Sequence, residues 1–177
     1  MQMVGHPIYV VLELPEPAAT AVLTIRRRYD PRLAGFPAEI TVAGSSGVGP
    51  LMAEQALEPV LECLQHIADT CLPVRLRFAG LRRFASGPVI WLAPADPAPL
   101  LALHQRLAGS GLAFAPHRFE FTPHCSVCSS ALDPAQQARL LAEPVPAGTF
   151  ELSRLVLYAV VDGSPQLLHR VERRQAP

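Results

Sequence analysis

The sequence predicts an α+β fold with a mostly antiparallel sheet. Short apolar runs with strand spacing alternate with segments of helical period, in the approximate order βαβ-αββ-αβ-αββ. Two of these groups place strands next to each other with no helix between them, which is typical of antiparallel pairing. Half of the 177 residues are hydrophobic, and a chain of this length can bury a substantial core.

The first strand is predicted at residues 8–14, where the run Ile-Tyr-Val-Val-Leu-Glu-Leu precedes two prolines. A helix then extends from Pro17 to about Tyr29, because proline suits a first helical position. The run Arg26-Arg27-Arg28 lies at the C-terminal end of this helix, where cations interact favourably with the helix dipole. We expect these arginines to be solvated.

A second strand is predicted at residues 37–43. The glycine-rich segment 44–50 that follows is typical of a flexible loop or a small anion-binding nest, although it lacks the lysine and the spacing of a P-loop. Apolar residues at helical spacing predict a helix over residues 57–71. Apolar side chains then alternate with Arg75 and Arg77, the pattern of a half-buried strand.

The second half of the chain has six further elements. They are a strand, a helix, an extended segment, a helix and two strands of a closing hairpin, at residues 88–93, 97–108, 118–128, 134–143, 150–161 and 166–171. His104 lies in the first of these helices and is expected on its surface.

Composition excludes several classes of function. The 15 arginines balance 15 acidic residues, and this neutral charge argues against duplex DNA as a partner. The N-terminus has no secretory signal pattern, and no apolar run approaches the roughly 18 residues of a membrane span. We therefore expect a soluble cytoplasmic protein that does not bind membranes, with its four cysteines reduced.

Two short segments carry the chemistry of the sequence. In residues 37–42, Glu39 stands two positions before Thr41, and in residues 122–127, His124 stands two positions before Ser126. Residues i and i+2 of a strand point to the same face of a sheet. If the two strands meet, a carboxyl, an imidazole and two hydroxyls surround one cleft.

At this point the chain resembles the two-histidine phosphoesterase superfamily, also called the 2′-5′ RNA ligase/cyclic phosphodiesterase-like family. Members carry two His-x-Thr/Ser motifs, one in each pseudo-symmetric lobe. The segment Pro123-His124-Cys125-Ser126-Val127 matches the second motif closely, and Ala38-Glu39-Ile40-Thr41-Val42 stands at the first, with Glu39 in place of histidine. The resemblance covers almost the whole chain and implies one two-lobed domain over residues 1–177, with antiparallel sheets and flanking helices around a central cleft.

The resemblance also implies a ligand and a role for each site residue. The ligand is a phosphodiester or 2′,3′-cyclic phosphate of RNA or a nucleotide, and no cofactor or metal is required. His124 and Glu39 are the expected catalytic residues, while Thr41 and Ser126 bind phosphate oxygens. An imidazole suits proton transfer because it titrates near neutral pH.

Glu39 departs from the family pattern and changes the chemistry, since a carboxylate repels phosphate by about 4 kcal/mol at 4 Å when the effective dielectric constant is near 20. Three outcomes remain open. Glu39 is protonated and donates a proton, or it acts as a base on a ligand whose charge an arginine or a metal offsets, or acid–base catalysis is altered, weakened or lost. Another histidine, His6 or His117, could also complete the site, although neither stands two positions before a hydroxyl residue.

Other functions stay open as alternatives. A non-catalytic module for nucleotides or RNA ends could use Arg75, Arg77 or a stacking Tyr158, and a partner-binding domain could retain only the scaffold. The pair Cys125-x-x-Cys128 invites a zinc or redox interpretation, but a zinc site needs further ligands and a redox motif normally opens a helix. The sequence leaves the oligomeric state undetermined.

Overall fold

The computed structural model describes residues 6–174 and has a mixed α+β architecture, which confirms the predicted fold class. Its strands are β1 (Ile8–Glu13), β2 (Glu39–Ala43), β3 (Val74–Leu76), β4 (Phe78–Arg83), β5 (Ile90–Pro94), β6 (Cys125–Cys128), β7 (Phe150–Leu152), β8 (Arg154–Val161) and β9 (Ser164–Glu172). Its helices are α1 (Ala18–Tyr29), α2 (Leu57–Cys71), α3 (Ala98–Ala108) and α4 (Pro134–Leu141), with a short 3-10 turn at Leu33–Gly35.

Every strand pair in the three sheets is antiparallel, as the sequence predicts. The largest sheet has the order β2-β1-β8-β9, the second has the order β4-β5-β6, and β3 pairs with β7 alone. The first and last thirds of the chain therefore build one sheet, because β1 pairs with both β2 and β8. One motif strand, β2, is an edge of the largest sheet, and the other, β6, is an edge of the second.

The helices that connect the strands cross between the two large sheets. Helix α1 follows β1 in the chain but contacts β6, whereas α3 follows β5 but contacts β2. The strands β2 and β6 also contact each other. This reciprocal exchange places the two motif segments side by side and joins both sheets through one hydrophobic core that includes Leu12, Ile40, Leu64, Leu92 and Leu155.

Three local predictions need correction. The segment predicted as one strand from residue 150 to residue 161 is divided into β7 and β8, which join different sheets. The alternating segment 74–78 is likewise divided between β3 and β4, which belong to different sheets. Only Cys125–Cys128 of the extended segment 118–128 pairs as a strand. In all three places the side-chain pattern is extended, but the backbone partners are distant in sequence and alternation does not reveal them.

The loop after β2 is packed, and three of its amides donate to backbone carbonyls. The N–H groups of Gly44, Gly47 and Gly49 donate to the carbonyls of Val48, Phe119 and Ala115. An anion-binding nest needs free amides, so the use of these three argues against a nest built on the loop glycines. Among the described residues, no helix is long and apolar enough to cross a membrane.

His104 lies inside the protein, so its predicted surface position is wrong. Its side chain is only 8% exposed, its ring stacks on Phe121 with 3.8 Å between centroids, and its Nδ1 lies 2.8 Å from the carbonyl of Val42. Gly47 leaves the room for this ring, because a Cβ there would collide with the imidazole. His104 therefore contacts the backbone of β2 from the interior of the protein.

Candidate functional site

Strand β2 presents Glu39 and Thr41 on one face and buries Ile40 and Val42 on the other, as strand alternation predicts. The Thr41 hydroxyl donates to the Glu39 carboxyl, with distances of 3.0 and 3.2 Å to the two oxygens. The two side chains expected to act together in the first motif are therefore in contact.

A pocket of about 310 Å³ opens over this face of the largest sheet. Glu39 and Thr41 supply its polar lining. The remaining lining is aromatic and aliphatic and consists of Tyr9, Val11, Phe36, Pro37, Tyr158, Val160 and Pro165. A carboxyl at such an apolar surface keeps some contact with solvent but is surrounded by protein on most sides.

This environment favours the neutral form of Glu39. Burial raises the pKa of the Glu39 carboxyl to about 7, against opposing contributions from the Arg26 charge and the Thr41 hydrogen bond, and the Glu13 carboxylate adds to the rise. Near neutral pH the side chain therefore carries a proton in a large share of molecules.

The second motif follows the same alternation. His124 and Ser126 are half-buried, while Cys125 and Val127 are fully buried. The His124 Nδ1 lies 2.6 Å from the carbonyl oxygen of Thr122. Since a carbonyl only accepts, Nδ1 carries the hydrogen, and the Nε2 lone pair of the neutral ring is available as a base.

Burial lowers the pKa of His124, and the bond to Thr122 only partly offsets this effect. The imidazole is thus neutral at pH 7. Glu39 and His124 are shifted in opposite directions, so that the carboxyl favours its protonated form and the imidazole its unprotonated form.

Aromatic rings surround His124. The ring centroids of Phe84 and Trp91 lie 5.1 and 5.8 Å from that of His124, and Phe84 stacks on Trp91 at 4.9 Å. Trp91 pairs directly with Ser126 across β5 and β6, and the Arg82 guanidinium lies 6.0 Å from the Trp91 ring. The indole is 7% exposed, and its Nε1 has no hydrogen-bond partner.

Arg26 joins the two motif segments and was not recognised as a site residue from the sequence. Its side chain is 1% exposed, which corrects the expectation of a solvated helix end for this member of the arginine run. Its guanidinium donates to the carbonyl oxygen of Ser126 in β6 and to those of Phe36 and Pro37 just before β2. These bonds hold both segments to one point on α1.

Asp30 repeats this arrangement one helical turn later. Its carboxylate accepts from the amide and hydroxyl of Ser129, after β6, and from the amide of Leu33, before β2. Burial alone would raise the pKa of Asp30, but these hydrogen bonds outweigh it and lower the pKa. The sequence offers one local indication that Arg26 and Asp30 act together. They are four residues apart at the end of α1, where Asp30 is the C-cap, so both lie on the same side of the helix.

The structure thus brings Glu39 and Thr41 together and places the strand of Ser126 against theirs. His124 and Ser126 do not line the pocket over Glu39. They face the aromatic cluster of Phe84 and Trp91. The four residues named from the sequence therefore divide into two pairs on neighbouring strands.

Other candidates from the sequence lie elsewhere. Arg75 pairs with Glu151 in an exposed ion pair, and Arg77 is also exposed. His117 accepts from the amide of Phe119. Cys125 is fully buried, and burial raises the pKa of its thiol to about 11, so it is a poor thiolate ligand or nucleophile. Within residues 6–174, no cluster of three or more metal-ligating side chains is present.

Comparison with known proteins identifies the family. A model of the 2′-5′ RNA ligase superfamily matches residues 14–164, and the chain belongs to this superfamily. The expected resemblance to two-histidine phosphoesterases is confirmed at that level. Among curated protein sequences, none matches this chain.

Solved structures share the fold. The apo form of E. coli LigT has a TM-score of 0.62 and 19% sequence identity, covering 96% of this chain and 98% of LigT. E. coli LigT in complex with 3′-AMP has a TM-score of 0.61 and 17% identity, covering 97% and 100%. A protein described as a phosphoesterase has a TM-score of 0.58 and 19% identity, with the same coverage of 97% and 100%.

Proposed function

We propose that this protein binds a nucleotide or RNA end bearing a phosphodiester or 2′,3′-cyclic phosphate and hydrolyses it with an altered acid–base pair, within one two-lobed domain. Glu39 replaces the first motif histidine as the general acid, and His124 is the general base. Thr41 and Ser126 donate hydrogen bonds to the phosphate. The observation that carries this proposal is the opposite pKa displacement of Glu39 and His124.

The protonated form of Glu39 removes the main objection to a carboxyl at a phosphate site. A carboxylate would repel the ligand, whereas a carboxylic acid donates a hydrogen bond to it. An anionic ligand beside Glu39 favours the protonated form further, because like charges raise the pKa of an acid. Binding and protonation of Glu39 therefore support each other.

The hydrolytic step balances with these two groups. The Nε2 of His124 takes a proton from water as the water oxygen forms a bond to phosphorus. The bond between phosphorus and one ribose oxygen breaks, and Glu39 gives its proton to that oxygen. Both residues regain their starting states by exchange with solvent. No cofactor enters this scheme.

The aromatic surroundings support a nucleotide ligand. The half-buried Phe84 lies beside His124, and Tyr9 and Tyr158 line the pocket at Glu39, so aromatic side chains flank both motif pairs. Bases stack on such surfaces. The solved complexes of E. coli LigT with 3′-AMP, ATP and NADP+ show that this fold binds nucleotides in that relative.

The test is hydrolysis of 2′,3′-cyclic nucleotides across pH. Activity requires neutral His124 and protonated Glu39, so kcat/KM should peak between the lowered pKa of His124, below 6.5, and about 7. His124→Ala and Glu39→Gln should each reduce kcat by about 10²–10⁴-fold. Glu39→His, unlike Glu39→Gln, should retain activity, and it should move the alkaline limb of the kcat/KM profile. Unchanged turnover in both loss variants would refute the assignment.

A non-catalytic nucleotide-binding module is the second candidate, and one observation favours it. The Thr41 hydroxyl donates to the Glu39 carboxyl, so the two polar groups of the first motif are paired with each other. Calorimetry with 3′-AMP separates the two functions. Binding without turnover in the native chain, together with weaker binding by Ser126→Ala, would favour the module.

A further inference from the structure

Glu13 and Glu39 face each other across two strands. In the register of β1 and β2, Val11 pairs with Thr41, Leu12 with Ile40 and Glu13 with Glu39. The Cβ atoms of directly opposed residues lie about 4.5–5.5 Å apart, and like charges at such positions destabilise a sheet. The register therefore places two carboxyls opposite each other, and one of them, Glu39, lines the candidate site.

The two carboxyls have different partners. Glu13 accepts a hydrogen bond from the Tyr158 hydroxyl, and its other oxygen lies 3.8 Å from the Nε of Arg170. Burial, followed by the bond to Glu13, raises the pKa of Tyr158, so its phenol remains a donor. These contacts stabilise a negative charge on Glu13.

Glu39 lacks comparable support. Its hydrogen-bond donor is the neutral hydroxyl of Thr41. Arg26 attracts its charge, but the Arg26 guanidinium donates to backbone carbonyls and not to the carboxyl. The groups that act on Glu39 from the surrounding elements are Glu13 on β1, Thr41 on β2, Arg26 on α1, and Cys125 and Tyr158 on β6 and β8.

We propose that Glu13 is a positioning residue for Glu39: its negative charge, held in place by Tyr158 and Arg170, keeps the proton of the pair on Glu39, where it serves as the catalytic acid. Two carboxyls in unequal environments divide into one ionised and one protonated group. This inference rests on the proposed function and adds a residue outside both motifs.

The direct test is a ¹³C-carboxyl NMR titration of the glutamate-labelled protein, with the Glu39 resonance assigned through Glu39→Gln. In the native chain Glu39 should titrate near 7. Glu13→Gln keeps an acceptor for Tyr158 and removes the charge, and it should lower the Glu39 midpoint, by less than burial raises it. Glu13→Asp keeps the charge and should preserve most of the native midpoint. A merely structural role would make both variants behave alike.

The matched control is Glu172→Gln, an exposed glutamate in the same sheet that pairs with Arg154. It should leave the Glu39 midpoint unchanged. In hydrolysis assays, Glu13→Gln should move only the alkaline limb of kcat/KM, by the same amount as the NMR midpoint.

The outcomes separate the two proposals. An unchanged Glu39 midpoint in Glu13→Gln overturns the role of Glu13, whatever the activity. A shifted midpoint in a protein that hydrolyses no cyclic nucleotide supports the control of the proton by Glu13 and rejects the proposed hydrolysis. If millimolar Mg²⁺ moves the Glu13 and Glu39 resonances together, the pair is a metal site and the proposal fails.

Discussion

The Arg26 guanidinium donates two hydrogen bonds, of 3.0 and 2.7 Å, to the carbonyl oxygen of Ser126, one hundred positions further along the chain. Its remaining nitrogen donates to the carbonyls that precede β2. One buried cation therefore fixes the backbone of both motif segments. The charge also lies close enough to Glu39 to lower its pKa, against the effect of burial.

Replacement of Arg26 should lower the stability of the protein, because its guanidinium connects the two motif segments. Arg26→Leu keeps an apolar stem but leaves the carbonyls of Ser126, Phe36 and Pro37 without their donor, and we expect a loss of about 3–5 kcal/mol in the free energy of unfolding. Urea denaturation at pH 7 measures it. The neighbouring Arg27 is exposed, and Arg27→Leu should change stability by less than about 0.5 kcal/mol. Equal effects of the two changes would contradict the structure.

Glu39 should make the protein less stable as the pH rises. Its pKa in the folded state, about 7, exceeds its ordinary value of 4.5. The folded state therefore holds a proton that the unfolded chain releases, so stability is highest below pH 4.5 with respect to this group and falls as the pH rises to 7. The difference corresponds to at most about 3 kcal/mol.

Glu39→Gln should remove this pH dependence. The variant should be more stable than the native protein at pH 8 and nearly equal to it at pH 4.5, as measured by urea denaturation at both values. Glu62→Gln, an exposed substitution on α2, is the control and should leave the difference between the two pH values unchanged. A gain at pH 4.5 as large as the gain at pH 8, or larger, would show that the folded-state pKa is not raised.

Trp91 should report the protonation of His124. It is the single tryptophan of the chain, and its ring centroid lies 5.8 Å from that of His124. A protonated imidazole quenches indole emission, so fluorescence should fall as the pH drops through the His124 pKa, which burial places below 6.5. His124→Gln should abolish the transition, whereas His169→Gln, on exposed β9, should retain it. A transition above pH 6.5 would contradict the burial of His124.

Gly47 should tolerate alanine poorly. Its φ of +72° disfavours a side chain, and a Cβ would also collide with the ring of His104. We expect Gly47→Ala to cost about 3 kcal/mol, because overpacking adds to backbone strain. Gly111 has a φ of +81° but open space around it, so Gly111→Ala should cost only about 1–2 kcal/mol. Thermal unfolding of both variants separates the two contributions.

The elements of the fold followed closely from local patterns. The bounds of α1, α2 and α3 agree with helical spacing and with their flanking prolines, and the alternation at Glu39 and Thr41 agrees with the strand interpretation. These features depend on neighbouring residues, so a short window of sequence contains the information. The site assignment of Glu39, Thr41, His124 and Ser126 stays a proposal.

Features that depend on distant residues were missed. The burial of Arg26 requires α1 to pack on β6, and the position of His104 requires α3 to pack on β2. Arginine is mostly exposed in folded proteins, and histidine is intermediate. The sequences of α1 and α3 alone do not distinguish a solvated side chain from one that packs against a strand of the other sheet.

The amino-acid sequence by itself determined which side chains share a face, because alternation and helical period are properties of a single segment. Only the tertiary structure decided which faces meet. It set the register that opposes Glu13 to Glu39, and the exchange of α1 and α3 that brings β2 against β6. The charge state of Glu39 follows from those long-range choices, since burial and neighbouring charges, not the residue type, decide where its proton is held.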